Sequence, residues 1–434
     1  MSGQPIVPFG KQFREKYFKE LGKDITPVNH GSYGQSPSVI LDKYFEQSKR
    51  QYHYPDEFFV HKIYDDYKNA SKLVGDFLKC DWHNVVFVEN ATTAVNIILR
   101  SYPFSKGDKI VIPTTVYGAC GNTIKFLEQR YGIVPILVQL KYPLEDEEII
   151  EKFDKVFKQE SPKLCLFDTV ISMPGLRFPF EKLVELCRKY DVLSLIDGAH
   201  SIGLLPDLDL GTLKPDFYTS NLHKWLYVPT GCAVLYVDPK HWHKIHTMPV
   251  SHSYLDDSVT LDEEEEKTRL IDRFSFYGTK TYSSINVIGD AIQFRKDICG
   301  GEQAINDYCY SLAKNAGQLL AKKWGTSILD NSKGSLSSAM VTIEVPVEKF
   351  GISIKFIQQD FGAFINLVYN KMFNEYKTYI PISVHNGKLY ARISAQIYNE
   401  LSDYEYASSS LTEVLEGLSD NKECQTLLAA FSKL

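Results

Sequence analysis

Between about residue 80 and residue 240, short and nearly continuous apolar runs alternate with segments of helical period, and this leaves few folds open. The runs fall at 85–88, 109–112, 134–138, 164–167, 193–196, 216–219 and 231–237. Between them lie stretches such as 180–190, with apolar residues at 183, 184, 186, 187 and 190, the spacing of one helix face. Strands apolar on both sides must be covered on both faces. The pattern therefore predicts an α/β fold with a large, mostly parallel seven-stranded sheet flanked by helices.

After about residue 282 the pattern changes. A long helical stretch runs from 285 to 324 with a break at Gly300-Gly301, followed by sparser candidate strands at 339–343, 366–369 and 388–394. The last of these alternates apolar and polar residues, as a sheet with one wet face does. This predicts a smaller α+β C-terminal domain over 285–434. A large domain spans 46–284, and an N-terminal arm over 1–45 contributes to the small domain and the cleft. The acidic run 262–266 is short and internal, and reads as an exposed loop.

In open α/β sheets ligands bind beyond the carboxyl ends of the strands. Two such ends deliver reactive groups here. The run 192–196 leads into Asp197-Gly198-Ala199-His200, and the run 217–219 into Ser220-Asn221-Leu222-His223-Lys224-Trp225. A strand-end acid and a strand-end lysine are the pair that a pyridoxal-phosphate enzyme requires. The lysine joins the cofactor aldehyde, and the acid partners the pyridine nitrogen. A carboxylate ~4 Å from that nitrogen contributes about 4 kcal/mol at an effective dielectric of 20, about three pKa units, enough to keep the ring protonated. Either residue alone is more simply a helix cap or a solvated charge.

Other strand ends add to the pair. Asn90-Ala91-Thr92-Thr93 opens a helical run after 85–88 and suits a phosphate, although Asn90 or Thr92 serves equally as an N-cap. Tyr117, after 109–112, is placed to stack on a planar ring or to pack in the core. The turn 276–281 contains Gly278-Thr279, a second candidate for phosphate contact. Arg392 shares a strand face with Tyr390 and Ser394 and suits either a carboxylate clamp or a surface ion pair. The glycine-spaced turn Asn29-His30-Gly31-Ser32-Tyr33-Gly34 is a candidate lining of the same cleft.

Composition excludes several alternatives. A formal charge of −6 over 434 residues argues against a nucleic-acid surface. The eight cysteines show no Cys-x-x-Cys spacing, so neither a zinc site nor a disulfide framework is expected and a reducing compartment follows. No apolar run approaches membrane-spanning length, and the first residues, Met1-Ser2-Gly3-Gln4-Pro5, lack the apolar core expected of a signal peptide. The final Ser432-Lys433-Leu434 is the tripeptide read by the peroxisomal import receptor, which predicts a peroxisomal rather than a cytoplasmic protein.

Assembled, these segments resemble the class V aminotransferase family of fold type I pyridoxal-phosphate enzymes, in its isopenicillin N epimerase-like and C–S lyase branch. The resemblance rests on 29–34, 90–96, 197–200, 221–226, 278–279 and 392–399. It implies Lys224 as the Schiff-base lysine, Asp197 at the pyridine nitrogen and His200 beside the phenolic oxygen. It also implies Tyr117 on the ring, Arg392 at the substrate carboxylate, and Asn90, Thr92, Thr93, Asn221 and His223 around the phosphate. A homodimer is implied, with Thr279 reaching the phosphate of the other subunit and Asn29 lining the substrate cleft. Persulfide-forming desulfurases of the family need a cysteine on a small-domain loop. No cysteine lies between Cys309 and Cys424, and the loop 332–338 is serine-rich, so a desulfurase of that kind is disfavoured. The expectation is β-elimination at the C–S bond of cysteine or an S-substituted cysteine, with amino-acid epimerisation or transamination as the alternative.

Overall fold

The computed structural model describes residues 3–256 and 258–418. The tripeptide 432–434 and Cys424 lie outside the described residues.

Seven strands form the principal sheet: β1 (Val85–Val88), β2 (Lys109–Pro113), β3 (Val134–Val138), β4 (Leu164–Asp168), β5 (Leu193–Asp197), β6 (Phe217–Asn221) and β7 (Ala233–Val237). Their order is β1-β7-β6-β5-β4-β2-β3, and only the pairs made by β7 are antiparallel. β4, β6 and β7 are buried along their whole length, which is why their sequences are apolar without alternation. Helices Ala91–Ser101, Gly118–Tyr131, Asp146–Glu160 and Phe180–Lys189 follow successive strands. Each of these connections returns the chain to the same end of the sheet, so the parallel strands all finish on one side.

A three-stranded antiparallel sheet, order β8-β10-β9, is built from β8 (Met340–Val345), β9 (Ile382–His385) and β10 (Lys388–Ser394). One apolar core surrounds the large sheet and extends to Ile305 and Cys309. A second gathers helices Glu302–Trp324, Phe361–Asn374 and Leu401–Glu416 against β8–β10. The N-terminal segment joins both, with Phe13 in the first core and Val28 in the second.

Three expectations are corrected. The run 366–369 is part of helix Phe361–Asn374, whose cap Asp360 accepts from Ala363 N at 2.9 Å; apolar neighbours at helical spacing prevailed over β-branched composition. The acidic run begins a helix, with Asp262 as N-cap in a reciprocal capping box with Glu265, so Glu263–Glu266 sit where the helix dipole favours negative charge. The polar face of β10 is not wet. Arg392 and Ser394 are buried, because that face packs against the N-terminal segment and the loop after β4.

Candidate active site

The acid and the lysine stand at the carboxyl ends of adjacent parallel strands. Asp197 is the last residue of β5, and Asn221 ends β6 directly before the short helix Leu222–Trp225 that carries Lys224. Asp197 is buried. Its Oδ1 accepts from Ala199 N at 3.0 Å, and its Oδ2 accepts from Cys120 Sγ at 3.4 Å. Its register partner on β4 is Asp168, also buried. Burial pushes both carboxyls up, and each opposes ionisation of the other. The Ala199 and Cys120 donors and the Lys224 charge favour the anion at Asp197, whereas the Asp197 charge adds to the rise at Asp168.

Lys224 Nζ lies 3.4 Å from His200 Nε2. Trp225 Nε1–H donates to His200 Nδ1 at 3.4 Å, which places the proton of the neutral ring on Nε2, facing the amine. Burial and then the Lys224 and Arg392 charges hold His200 far below its ordinary range, so the ring is neutral. An Nε2–H facing the amine favours the unprotonated lysine as acceptor. Desolvation first, and the Arg392 charge second, lower the Lys224 amine to about 8. Among the described residues no carboxylate lies within ion-pair distance of it.

The backbone of Lys224 is clamped from both sides. His30 Nε2–H donates to Lys224 O at 2.8 Å while its Nδ1 accepts from Tyr398 OH at 2.9 Å, and burial brings His30 down to about 3. Buried Arg295 donates to Trp225 O at 2.7 Å and to Gly203 O at 3.0 Å, and pairs with Glu302 at 2.6 Å. Gly34, at φ +77°, lets the N-terminal turn close on this helix: a Cβ there would lie 2.0 Å from His223 O.

Arg392 is the third charged group. Its Nη2 donates to Asn29 Oδ1 at 2.6 Å and Ser32 Oγ at 2.7 Å, and its Nη1 to Ser172 O at 2.7 Å. Nε is buried without a partner. Three of five N–H donors are engaged, and the other two remain for an anion. The predicted arginine and Asn29 are therefore in direct contact.

The expected phosphate end is more mixed. Asn90 acts as the N-cap of helix Ala91–Ser101, its Oδ1 accepting from Thr93 N at 2.8 Å and Thr93 Oγ1 at 3.1 Å. Asn221 Oδ1 accepts from Ala91 N at 2.9 Å and ties β6 to that helix start. His223 Nδ1 donates to Cys232 O at 2.8 Å, leaving Nε2 for a ligand. Thr92 is half-buried beside them. Tyr117 is 48% exposed just before helix Gly118–Tyr131, and Thr279 is exposed at the turn after helix Glu263–Ser275.

The aminotransferase class-V family pattern matches residues 35–353, spanning the whole large sheet, Lys224 and β8. The chain belongs to the class-V aminotransferase family. Similar relatives are the hercynylcysteine sulfoxide lyase of Schizosaccharomyces pombe (strain 972 / ATCC 24843), 28% identical over 93% of this chain and 97% of that protein, and the L-cysteine desulfhydrase-like protein lolT1 of Epichloe uncinata, 29% identical over 94% and 96%. Among solved structures, a cystine C–S lyase in complex with cysteine persulfide superposes with a TM-score of 0.70 at 16% identity, covering 91% of this chain and 99% of that one, a likeness of fold.

The class-V cofactor is pyridoxal 5′-phosphate, and the donor set here fits it. Among the described residues, a buried carboxylate without a cation within ion-pair distance and a desolvated amine without an acid within that distance lie at neighbouring strand ends, complementary to a protonated ring nitrogen and an aldehyde. Sequence reasoning passed over four contributors: Cys120, Asp168, Ser172 and Arg295. Asp168 had a readable signal, an acid ending an apolar run as Asp197 does. Arg295 had another, a charge four residues after Ala291 on the buried helix face. Ser172 acts through its carbonyl, which no side-chain pattern announces.

Proposed function

We propose that the protein is a β-eliminating C–S lyase acting on cysteine or an S-substituted cysteine, converting an S-substituted cysteine and water to a thiol, pyruvate and ammonium. The observation that carries this reading is the isolation of Lys224: a desolvated amine facing a neutral histidine, with no cysteine beside it among the described residues. Both named relatives are C–S lyase-type proteins, and they support the reading.

Pyridoxal 5′-phosphate supplies the electron-withdrawing ring that makes the substrate Cα proton acidic. Asp197 would hold the ring nitrogen, His200 the phenolic oxygen and Tyr117 the ring face. Thr92, Thr93, Asn221 and His223, with the Asn90-capped helix start, would hold the phosphate. Arg392 fixes the substrate carboxylate with its free N–H groups, and Asn29 and Ser32 orient the guanidinium. Lys224 Nζ, its amine lowered to about 8 by burial, takes the Cα proton in its unprotonated form. The electron pair so released forms the Cα–Cβ double bond, and sulfur departs with the Cβ–S bonding pair and acquires a proton. Cys120 is buried and donates to Asp197, with its thiol pushed far up by burial, so it offers no sulfur-accepting thiolate.

The proposal includes a homodimer in which Thr279 of the partner subunit completes the phosphate contacts, and peroxisomal delivery through 432–434. Purified holoenzyme incubated with S-methyl-L-cysteine tests the reaction. Equimolar methanethiol and pyruvate support elimination, whereas racemised amino acid without pyruvate supports an epimerase, and a keto acid retaining the sulfur supports transamination.

A further inference from the structure

Beside the Arg392 cluster lies an apolar cavity of about 260 Å³ that the reaction described above does not use. Its walls include Leu21, Ile25, Tyr33, Phe373 and Tyr379. The Phe373 and Tyr379 rings stack at 4.9 Å and 10°, and Tyr369 meets Tyr379 edge-on at 4.6 Å. Tyr33 and Phe373 are 76% and 50% exposed, unusual for aromatic side chains lining a common wall. Among the described residues Lys377 is the only charged one lining the cavity, since neutral His30 is buried.

Two of the residues lining the cavity also contact the catalytic groups. Asn29 lines it and accepts from Arg392 at 2.6 Å; His30 lines it and donates to Lys224 O at 2.8 Å. The phenols of Tyr33 and Tyr379 lie within electrostatic reach of Arg392. An amino acid held at Arg392 with Cα facing Lys224 therefore has this cavity beside it. The thiol of cysteine is too small to need such a space, and an ionic group would find one lysine and many ring faces. The volume is just below the range for whole small-molecule ligands, about 300–1,000 Å³, and so suits a fragment.

We propose that this cavity receives the sulfur-borne substituent of the substrate and selects a bulky apolar one, aromatic in preference to methyl. The inference rests on the C–S lyase reading and deepens it. An aromatic ring fully buried there gains roughly 10- to 100-fold in affinity over a methyl group.

The test is rapid-mixing titration of the holoenzyme with S-benzyl-L-cysteine and S-methyl-L-cysteine, read by cofactor absorbance, with pyruvate release as a separate arm. The expected result is a Kd ratio of at least 10 in favour of the benzyl compound. That ratio should collapse several-fold in Phe373→Ala and in Tyr33→Ala, and persist in Phe126→Ala, a surface change on another helix. Equal Kd values, or a ratio unmoved by both cavity variants, would overturn the inference. Preferential binding without pyruvate from either compound would instead overturn the lyase reading and leave the cavity assignment standing.

Discussion

Replacing Lys224 by methionine should stabilise the cofactor-free protein near neutral pH and lose that advantage in alkali. The amine is lowered from 10.5 to about 8, chiefly because folding desolvates it. Below pH 8 the wild type must fold with a charged ammonium in a poorly solvated position, while the unfolded chain solvates it fully. A change of that size corresponds to roughly 3 kcal/mol, an upper bound because the cleft leaves Lys224 partly open. The sign follows from proton counting. Between pH 8 and 10.5 the unfolded chain binds the proton that the native state has released, so wild-type stability rises with pH through that window. Methionine has nothing to titrate and matches the lysine stem in volume. Urea denaturation of both cofactor-free proteins from pH 7 to 10.5, compared as a difference at each pH, cancels every other titrating group. The variant should be more stable by up to about 3 kcal/mol at pH 7, converging toward the wild type by pH 10.5. A difference independent of pH would refute the claim that burial lowers the Lys224 amine.

Other substitutions probe the remaining groups. Arg392→Lys should reduce kcat/KM roughly 10- to 100-fold, mainly through KM in steady-state pyruvate assays, because a point charge replaces a planar fork set by Asn29, Ser32 and Ser172. Asp197→Asn should retain cofactor by absorbance yet lose on the order of 1,000-fold in turnover, since an amide does not sustain ring protonation. Trp225→Phe removes the donor to His200 Nδ1, frees the ring tautomer and should raise the Lys224 pKa, measured as an alkaline shift in the pH dependence of amine acetylation in the cofactor-free protein. Arg295→Met leaves Trp225 O and Gly203 O without their donor and should cost about 2–4 kcal/mol by urea denaturation.

The large sheet was legible because six of its seven strands are buried on both faces or nearly so, the half-exposed edge strand β3 is itself apolar, and the apolar runs located each to within a few residues. Asp197 and Lys224 were legible for a related reason: the sheet rule gives strand ends a meaning that isolated residues lack. The small domain was harder to read. Its helix Phe361–Asn374 carries Val368 and Ile365 among apolar neighbours, and a four-residue window sees a strand where a longer one sees a helix face. Strand β9 was missed because only four residues separate Pro381 from Asn386 and just one of them is fully buried. The face of β10 bearing Arg392 was misread as wet because alternation reports two unlike faces, and the partner of the polar face is a segment some 360 residues earlier. The roles of Asp168 and Cys120 depend on strand register and on a helix crossing above it, which local sequence does not encode.

The most direct test of the account compares S-methyl-L-cysteine consumed, pyruvate formed and methanethiol released by purified holoenzyme and by Lys224→Ala. Elimination with Lys224 as the base predicts a 1:1:1 stoichiometry in the wild type and loss of at least 1,000-fold in the variant, with Arg392 intact in both. Pyruvate formation at an undiminished rate in Lys224→Ala, or substrate consumption without pyruvate in the wild type, would contradict it.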